Sequence, residues 1–389
     1  MAEDTSLSPI VGLSPDDTSA KLEPGIALCF SGGGYRAMLF HLGTLWRLND
    51  AGYLPKLNRI SSVSGGSITA GVLALAWPKL ALDRSGVAQR FGPEVIAPIR
   101  RMAGKTIDIW AVLLGLIGPG QASNYIARAY RRHLFGDHTL QDLSDDGPRF
   151  VFNATNIQSG VLWRFSKPYM WDYRVGKVPS PHVGLATAVA ASSAFPPFLS
   201  PLVLRLNQSD YTPNTGLDLQ RPPYTTRVFL TDGGVYDNLG LETAWKHYTT
   251  ILVSDGGGHL EAERQPKRDW PLHAYRVLLV IDNQVRSLRK RQVIAAYQSD
   301  SASENYRRGA YWGIRSDIAS YQLRDSLPCP IAQTTRLANV PTRLQRMNVK
   351  LQKQLINWGF AVCDAAMRKH VDPALPAPRG FPYPEAGVG

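Results

Sequence analysis

The sequence predicts an α/β fold in which helices cover both faces of a mainly parallel sheet, and two observations carry that prediction. Residues 25–30 (GIALCF) form a short apolar run that breaks at Ser31-Gly32-Gly33-Gly34. From Ala37 to Leu48 the apolar residues Leu39, Leu42, Leu45 and Trp46 then recur at helical spacing. Residues 57–63 (LNRISSV) repeat the pattern, with a turn at Ser64-Gly65-Gly66 and a small-residue helical run over 67–76. Two strand, turn, helix units in succession are βα repeats, the unit from which parallel sheets are built.

The remaining elements follow in order. Residues 86–134 contain no strand pattern and read as three helical segments, 87–102, 107–117 and 122–134, a helical cap inserted in the sheet order. Strand candidates at 149–155, 161–165, 199–206, 227–231 and 250–254 enlarge the sheet. Between them lie a small-residue helix over 182–194 and a Pro/Asn/Gln-rich loop over 207–225. The C-terminal part, 265–370, reads as mainly helical, with candidates at 270–298, 302–312 and 342–370. A Pro-rich tail over 371–389 reads as an irregular strap or a disordered end. No linker divides the chain, so the expected organisation is a flexible arm over 1–23 and one domain over 24–370.

Composition narrows the function classes. Of 389 residues, 44% are hydrophobic and 19% charged, against the roughly 25% charged of an average domain, which excludes disorder. The net charge of +12 suits an anionic partner. Cys29, Cys329 and Cys363 are odd in number and far apart, so neither a disulfide framework nor a cysteine zinc site is readable and a reducing compartment is expected. The polar N-terminus lacks signal-peptide character, and the most apolar run, 107–118 (IDIWAVLLGLIG), is shorter than the ~18 residues of a membrane span. That run reads first as a core helix and second as an interfacial lid. A cytoplasmic location, peripheral at a membrane surface, is the expectation.

The chemistry concentrates at three turns. Ser64 follows a strand and opens a helix, the context in which a nucleophile elbow pushes a serine hydroxyl out of the sheet, although Ser62 stands where the usual G-x-S-x-G pattern has glycine. Gly32, Gly33 and Gly34 offer backbone N–H groups at a helix start, suited to an oxyanion; a phosphate loop is excluded because no lysine stands at the required offset. Arg36 is a candidate for a substrate phosphate, with an exposed helix-start arginine as the plain alternative. Asp232-Gly233-Gly234 ends the 227–231 strand and would bring a carboxylate to the same sheet edge as Ser64. A second Asp-Gly-Gly at Asp255 leaves the choice of carboxylate open.

In order, the blocks SGGGYRAMLFHLGTLWRL, SSVSGGSITAG, FNATN with SGVLWRFS, AVAASSAFPPFLSPL and LTDGGVYDNLG resemble the patatin-like phospholipases over about residues 24–255. The opening block is similar also to the cytosolic phospholipase A and lysophospholipase catalytic domain. The resemblance implies a three-layer α/β/α fold and a lipid acyl hydrolase with Ser64 as nucleophile, Asp232 as its dyad partner and Gly32–Gly34 as oxyanion loop, with no metal or cofactor. It selects Asp232 over Asp255 because Asn238 completes the family pattern. A Ser-His-Asp esterase is the nearest alternative, since eight histidines are available but none sits in a motif. An inactive or regulated lipid-binding effector is the other.

Between Arg264 and Arg315 eleven basic residues stand against four acidic ones, which reads first as a solvated helical face and second as a surface for anionic lipid or nucleotide; with the phospholipase resemblance, a phospholipid surface is the expected partner. No nucleic-acid-binding pattern is present. The part after 258 matches no family block and leaves room for an activating signal, a protein partner or oligomer formation.

Overall fold

A computed structural model describes residues 22–108 and 121–389, so the 1–23 arm, apart from its last two residues, and most of the 107–118 run lie outside the described residues. Its first strand, β1 (Glu23–Phe30), shows why the sheet is central. The last four residues are buried, Ala27 and Cys29 toward one face and Leu28 and Phe30 toward the other. A strand buried on both faces needs no alternation of polar and apolar residues, which is what GIALCF lacks.

After β1 come α1 (Gly34–Asp50), β2 (Leu57–Ser62), α2 (Gly65–Ala76), α3 (Ala97–Ala103) and α4 (Gln121–Tyr130). The strands β3 (Arg149–Asn156), β4 (Val161–Phe165), β5 (Tyr169–Asp172) and β6 (Gly176–Pro179) follow, then α5 (Leu185–Ser192), β7 (Leu202–Arg205) and β8 (Arg227–Asp232). The chain closes with α6 (Gly234–Asp237), α7 (Glu242–Trp245), β9 (Tyr248–Asp255), α8 (Trp270–Gln298), β10 (Arg308–Gly313), α9 (Ile331–Ala338) and α10 (Val349–His370). The sheet order is β10-β9-β1-β2-β3-β4-β5-β6. Its first five strands are parallel, and from β3 onward it continues as an antiparallel meander. Helices lie on both sides, so the expected α/β/α layering is present. One layer, built on α1, α2 and α10, packs on Leu28, Phe30 and Leu252; the thinner one, built on α7 and the end of α8, packs on Ala27, Cys29, Ile251 and Val253.

Two expectations need correcting. Residues 308–313, which overlap the expected 302–312 helix, are strand β10, paired in parallel with β9. Gly309 and Gly313 disfavour a helix there, and Tyr311 and Trp312 fit a pleated, half-buried edge. The short strands β5 and β6 and the helix α9 were not anticipated. The Pro-rich tail is a strap. Asn357 in α10 donates to Tyr383 O at 2.8 Å and to Gly387 O at 2.7 Å, and Val388 is buried.

Helix α10 lies across α1 at a close crossing that two glycines permit. A Cβ on Gly43 would be driven into the Ile356 carbonyl, and one on Gly359 into the Phe40 carbonyl. Above the crossing, Asp364 takes Arg47 at 2.8 Å and Arg368 at 3.0 Å, and Arg368 reaches Asp325 at 2.8 Å. Gly359→Ala and Gly43→Ala should each lower stability by about 1–3 kcal/mol, because neither backbone can retreat. Gly92→Ala, where no atom stands within 4 Å of the added methyl, should be neutral or stabilising by about 0.5 kcal/mol. Urea unfolding midpoints of the three variants test this, and equal midpoints would show that the crossing is not close.

Candidate active site

Strand β3 outlasts β2, and the site is built in the gap. Arg59–Ser62 of β2 pair in parallel with Arg149–Phe152, whereas Ala154–Asn156 pair on the same edge of β3 with Asp232–Leu230 of β8, running antiparallel; the opposite edge carries β4. β2 and β8 therefore lie end to end with their carboxyl termini facing each other. Asp232 arrives at the gap from the direction opposite to Ser64, on a strand antiparallel to β3. Gly233 is needed for the approach, because a Cβ there would strike the Asn153 carbonyl.

Ser64 sits two residues beyond β2 with φ 52° and ψ −120°, a left-handed conformation that a non-glycine residue adopts only under constraint. Its N–H donates to Ser192 at the end of α5, to Oγ at 3.0 Å and to O at 3.2 Å. The same Ser192 carbonyl accepts from Gly233 N–H at 3.4 Å, so one residue holds both halves of the site. Ser62 is accommodated in a serine chain. Its Oγ donates to Val151 O at 3.2 Å and accepts from Ser67 Oγ at 3.0 Å, which meets Ser192 Oγ at 2.9 Å. Asn153 Nδ2 closes the brace on Ser62 O at 3.0 Å.

Asp232 is buried. Its Oδ1 accepts from Gly234 N–H at 2.7 Å, while Oδ2 is enclosed without a partner at hydrogen-bonding geometry. Burial pushes the carboxyl up to about 7, against the pull of Gly234 N–H and of the neighbouring Ser64 hydroxyl; Asp282 adds to the rise. The two side chains thus interact electrostatically without yet being aligned as a hydrogen bond. Asp255 differs in kind. Its carboxylate is engaged by Gly257 N–H at 2.8 Å and Tyr311 OH at 2.7 Å, and although burial pushes it up, Arg286, Tyr311 and Gly257 outweigh that and hold it below the usual range.

Gly32 N–H is already taken by Asn238, through O at 3.1 Å and Oδ1 at 3.0 Å. Gly33 and Gly34, with φ 141° and 59°, keep N–H groups without a partner among the described residues, at the positive start of α1. All three glycines, Ser64 and Asp232 line one cleft of about 460 Å³, with Phe195, Leu199, Leu279 and Leu344 as apolar wall. Arg36 is not part of that lining. It is buried under the loop, with Nε on Gly256 O at 3.1 Å and Nη1 on Val340 O. Arg286 and Arg343 are the guanidiniums that do line the cleft.

Of the histidines, His259 lines the cleft but makes no bond to Ser64 or Asp232. His41 is buried between Ser254 Oγ at 2.9 Å and Ser31 O at 3.0 Å, and burial pushes it down to about 4. Among the described residues no group of His, Cys, Asp or Glu is spaced to hold a metal ion. Sequence reasoning missed Ser192, although the quoted AVAASSAFPP block contains it. It also missed the cleft residues of α8, for which no motif exists.

A family model described as patatin-like phospholipase matches residues 28–245, more than half of the chain. No curated protein matches. Among solved structures, human GIVD cytosolic phospholipase A2 aligns at 15% identity with a TM-score of 0.51, covering 87% of this chain and 58% of that one. The same human protein in complex with methyl γ-linolenyl fluorophosphonate inhibitor and terbium chloride gives 15%, 0.51, 90% and 59%. VipD from Legionella pneumophila gives 16% identity and a TM-score of 0.34 over 89% of this chain and 66% of that one. At these identities the likeness is one of fold, and the chain spans just under three fifths of the human structures.

The raised carboxyl has a consequence for stability. A folded pKa near 7 against an ordinary value of 3.8 means that the buried group favours the fold fully below pH 3.8 and loses that contribution as pH rises through 7. Asp232→Asn should therefore be more stable than the parent at pH 8, by up to about 4 kcal/mol, with a far smaller gain at pH 4. Thermal unfolding at the two pH values measures this; an equal gain at both would mean that Asp232 is not desolvated.

Proposed function

The chain belongs to the patatin-like phospholipases, a family of hydrolases, and from that premise we propose that it cleaves fatty-acyl esters of phospholipids or lysophospholipids with Ser64 and Asp232. One observation carries this reading: the Ser64 elbow stands beside the unpartnered, buried Oδ2 of Asp232, in a single cleft with the free N–H groups of Gly33 and Gly34. Asp232 in its ionised form takes the proton of Ser64 Oγ as the oxygen attacks the ester carbonyl carbon, and the displaced electron pair gathers on the carbonyl oxygen facing Gly33 and Gly34. Collapse expels the alcohol, which leaves with the proton held by Asp232. Water then attacks the acyl-serine, again giving its proton to Asp232, and the fatty acid departs as Ser64 recovers its proton.

The apolar wall suits an acyl chain, and Arg286 and Arg343, rather than the enclosed Arg36, are available to a head-group phosphate. A Ser-His-Asp arrangement is disfavoured because no histidine of the described residues bonds to Asp232. Among the described residues no helix is long and apolar enough to cross a membrane.

Ser64→Ala should lower ester hydrolysis by about a thousandfold or more, and a fluorophosphonate should label Ser64, as read by mass spectrometry. Labelling elsewhere with activity retained in Ser64→Ala overturns the assignment. Because the base must be ionised, kcat/KM on a soluble ester should rise about tenfold per pH unit up to about 7 and then level off. Asp232→Asn should be nearly inactive across the range and Asp255→Asn should keep the profile. A flat parental profile between pH 5 and 8 would remove Asp232 from the base role.

A further inference from the structure

Helix α8 has two unlike faces. Toward the protein, Tyr275, Leu279, Asp282 and Arg286 line the catalytic cleft. Toward solvent, Trp270, Val277, Ile281 and Leu288 recur seven, four and seven residues apart, one stripe of an α-helix, and are 83%, 43%, 54% and 58% exposed. Val280 lies beside them at 41%. A contiguous water-facing stripe of large apolar residues marks a surface that meets something apolar.

The helix is held mainly at one end. Arg289 pairs with Glu242 at 2.9 Å, Lys290 lies 4.6 Å over the Tyr311 ring, Tyr297 OH donates to Ile251 O at 2.7 Å, and Val293 and Ala296 are its buried residues. Before these anchors, α8 touches the body through the cleft itself, as where Tyr275 meets the Phe198 ring at 5.7 Å. The same contacts correct the expectation of a broad basic docking face. Arg289 is a brace; Arg276 is spent on Glu263 at 3.6 Å, Arg307 on backbone carbonyls and Arg315 on Asn339. Arg264, Lys267 and Arg268, exposed just ahead of Trp270, have no partner among the described residues and remain for an external anion; Arg291, exposed on the outer side of α8, bonds only to the Ser287 carbonyl of its own helix at 3.4 Å and keeps its charge facing outward, and Arg308 is exposed away from the helix on β10.

We propose that the outer face of α8 is the surface by which this protein docks on an anionic lipid layer, with the apolar stripe entering the acyl boundary and Arg264, Lys267, Arg268 and Arg291 meeting the head groups. The proposal rests on the hydrolase reading, since it sets the cleft lined by the inner face of α8 against its substrate layer. Charge selects the occupant. A second copy would bring identical cations against these on a chain already at +12, whereas an anionic lipid layer supplies both the apolar phase and the opposite charge.

The test uses Ser64→Ala protein, so that vesicles stay intact, in co-sedimentation with phosphatidylcholine vesicles with and without phosphatidylserine. Ile281→Gln with Leu288→Gln should weaken binding to both vesicle types by about tenfold or more, with the unfolding midpoint unchanged because both side chains face water. Arg264, Lys267 and Arg268 changed to Glu should weaken binding only to the anionic vesicles and remove its salt dependence. Unaltered vesicle binding in both variants, or loss of a concentration-dependent dimer in their place, overturns the proposal. Vesicle binding that follows these expectations in a protein unable to turn over a soluble ester with Ser64 intact would leave the docking face standing and the hydrolase reading fallen.

Discussion

The end-to-end meeting of β2 and β8 on one edge of β3 is the constraint on which the rest of the site depends. Two strands that share an edge from opposite directions cannot slide without breaking their ladders on β3, so the distance between Ser64 and Asp232 is set by backbone pairing rather than by side-chain choice. Ser192 reinforces this, because its carbonyl takes an N–H from each side of the gap. The strained dihedrals of Ser64 are maintained by that pairing, by the serine chain through Ser67 and by Asn153. Rigid placement suits a carboxylate acting on a serine, since a weak base gains most from being held close and kept dry.

The sequence displayed the strands that end in glycine turns, because an apolar run followed by Gly-Gly and helical spacing is a local signal, and β1, α1, β2 and α2 fall where it placed them. The direction of β8 was not legible. RVFLTD has the same pattern whichever way it pairs, and only the reach of β3 beyond β2 decides the matter. Tertiary pairing also made a strand of 308–313, and the burial of Arg36 depends on residues 220 and 304 positions away. Asn238 was visible as part of a pattern, yet its occupation of the Gly32 N–H, which leaves only Gly33 and Gly34 of the three glycines with unpartnered N–H groups among the described residues, is a matter of three-dimensional contact.

Asp232 and Asp255 show how little a local motif says about charge. Both end a strand, both precede paired glycines and both are buried. Asp255 has Tyr311 and the field of Arg286 around it and stays ionised as a structural anion, whereas Asp232 accepts one N–H, its Oδ2 is enclosed without a partner, and burial holds its carboxyl up at about 7. A carboxyl poised near neutral pH can exchange a proton at little cost, which a fully satisfied one cannot.

Arg36 lies in the N-terminal block that resembles the family, yet its Nε and Nη1 bond to Gly256 and Val340, both beyond the residues 28–245 that the family model covers. The two regions are therefore not separable modules. Removing the chain after 258 would strip a buried cation of a carbonyl partner, expose the α1 face that α10 covers and leave β9 as an open edge. An evolutionary exchange of the C-terminal part, or a trimmed version of the protein, would have to replace that covering at the same time, so the last third of the chain cannot be exchanged on its own.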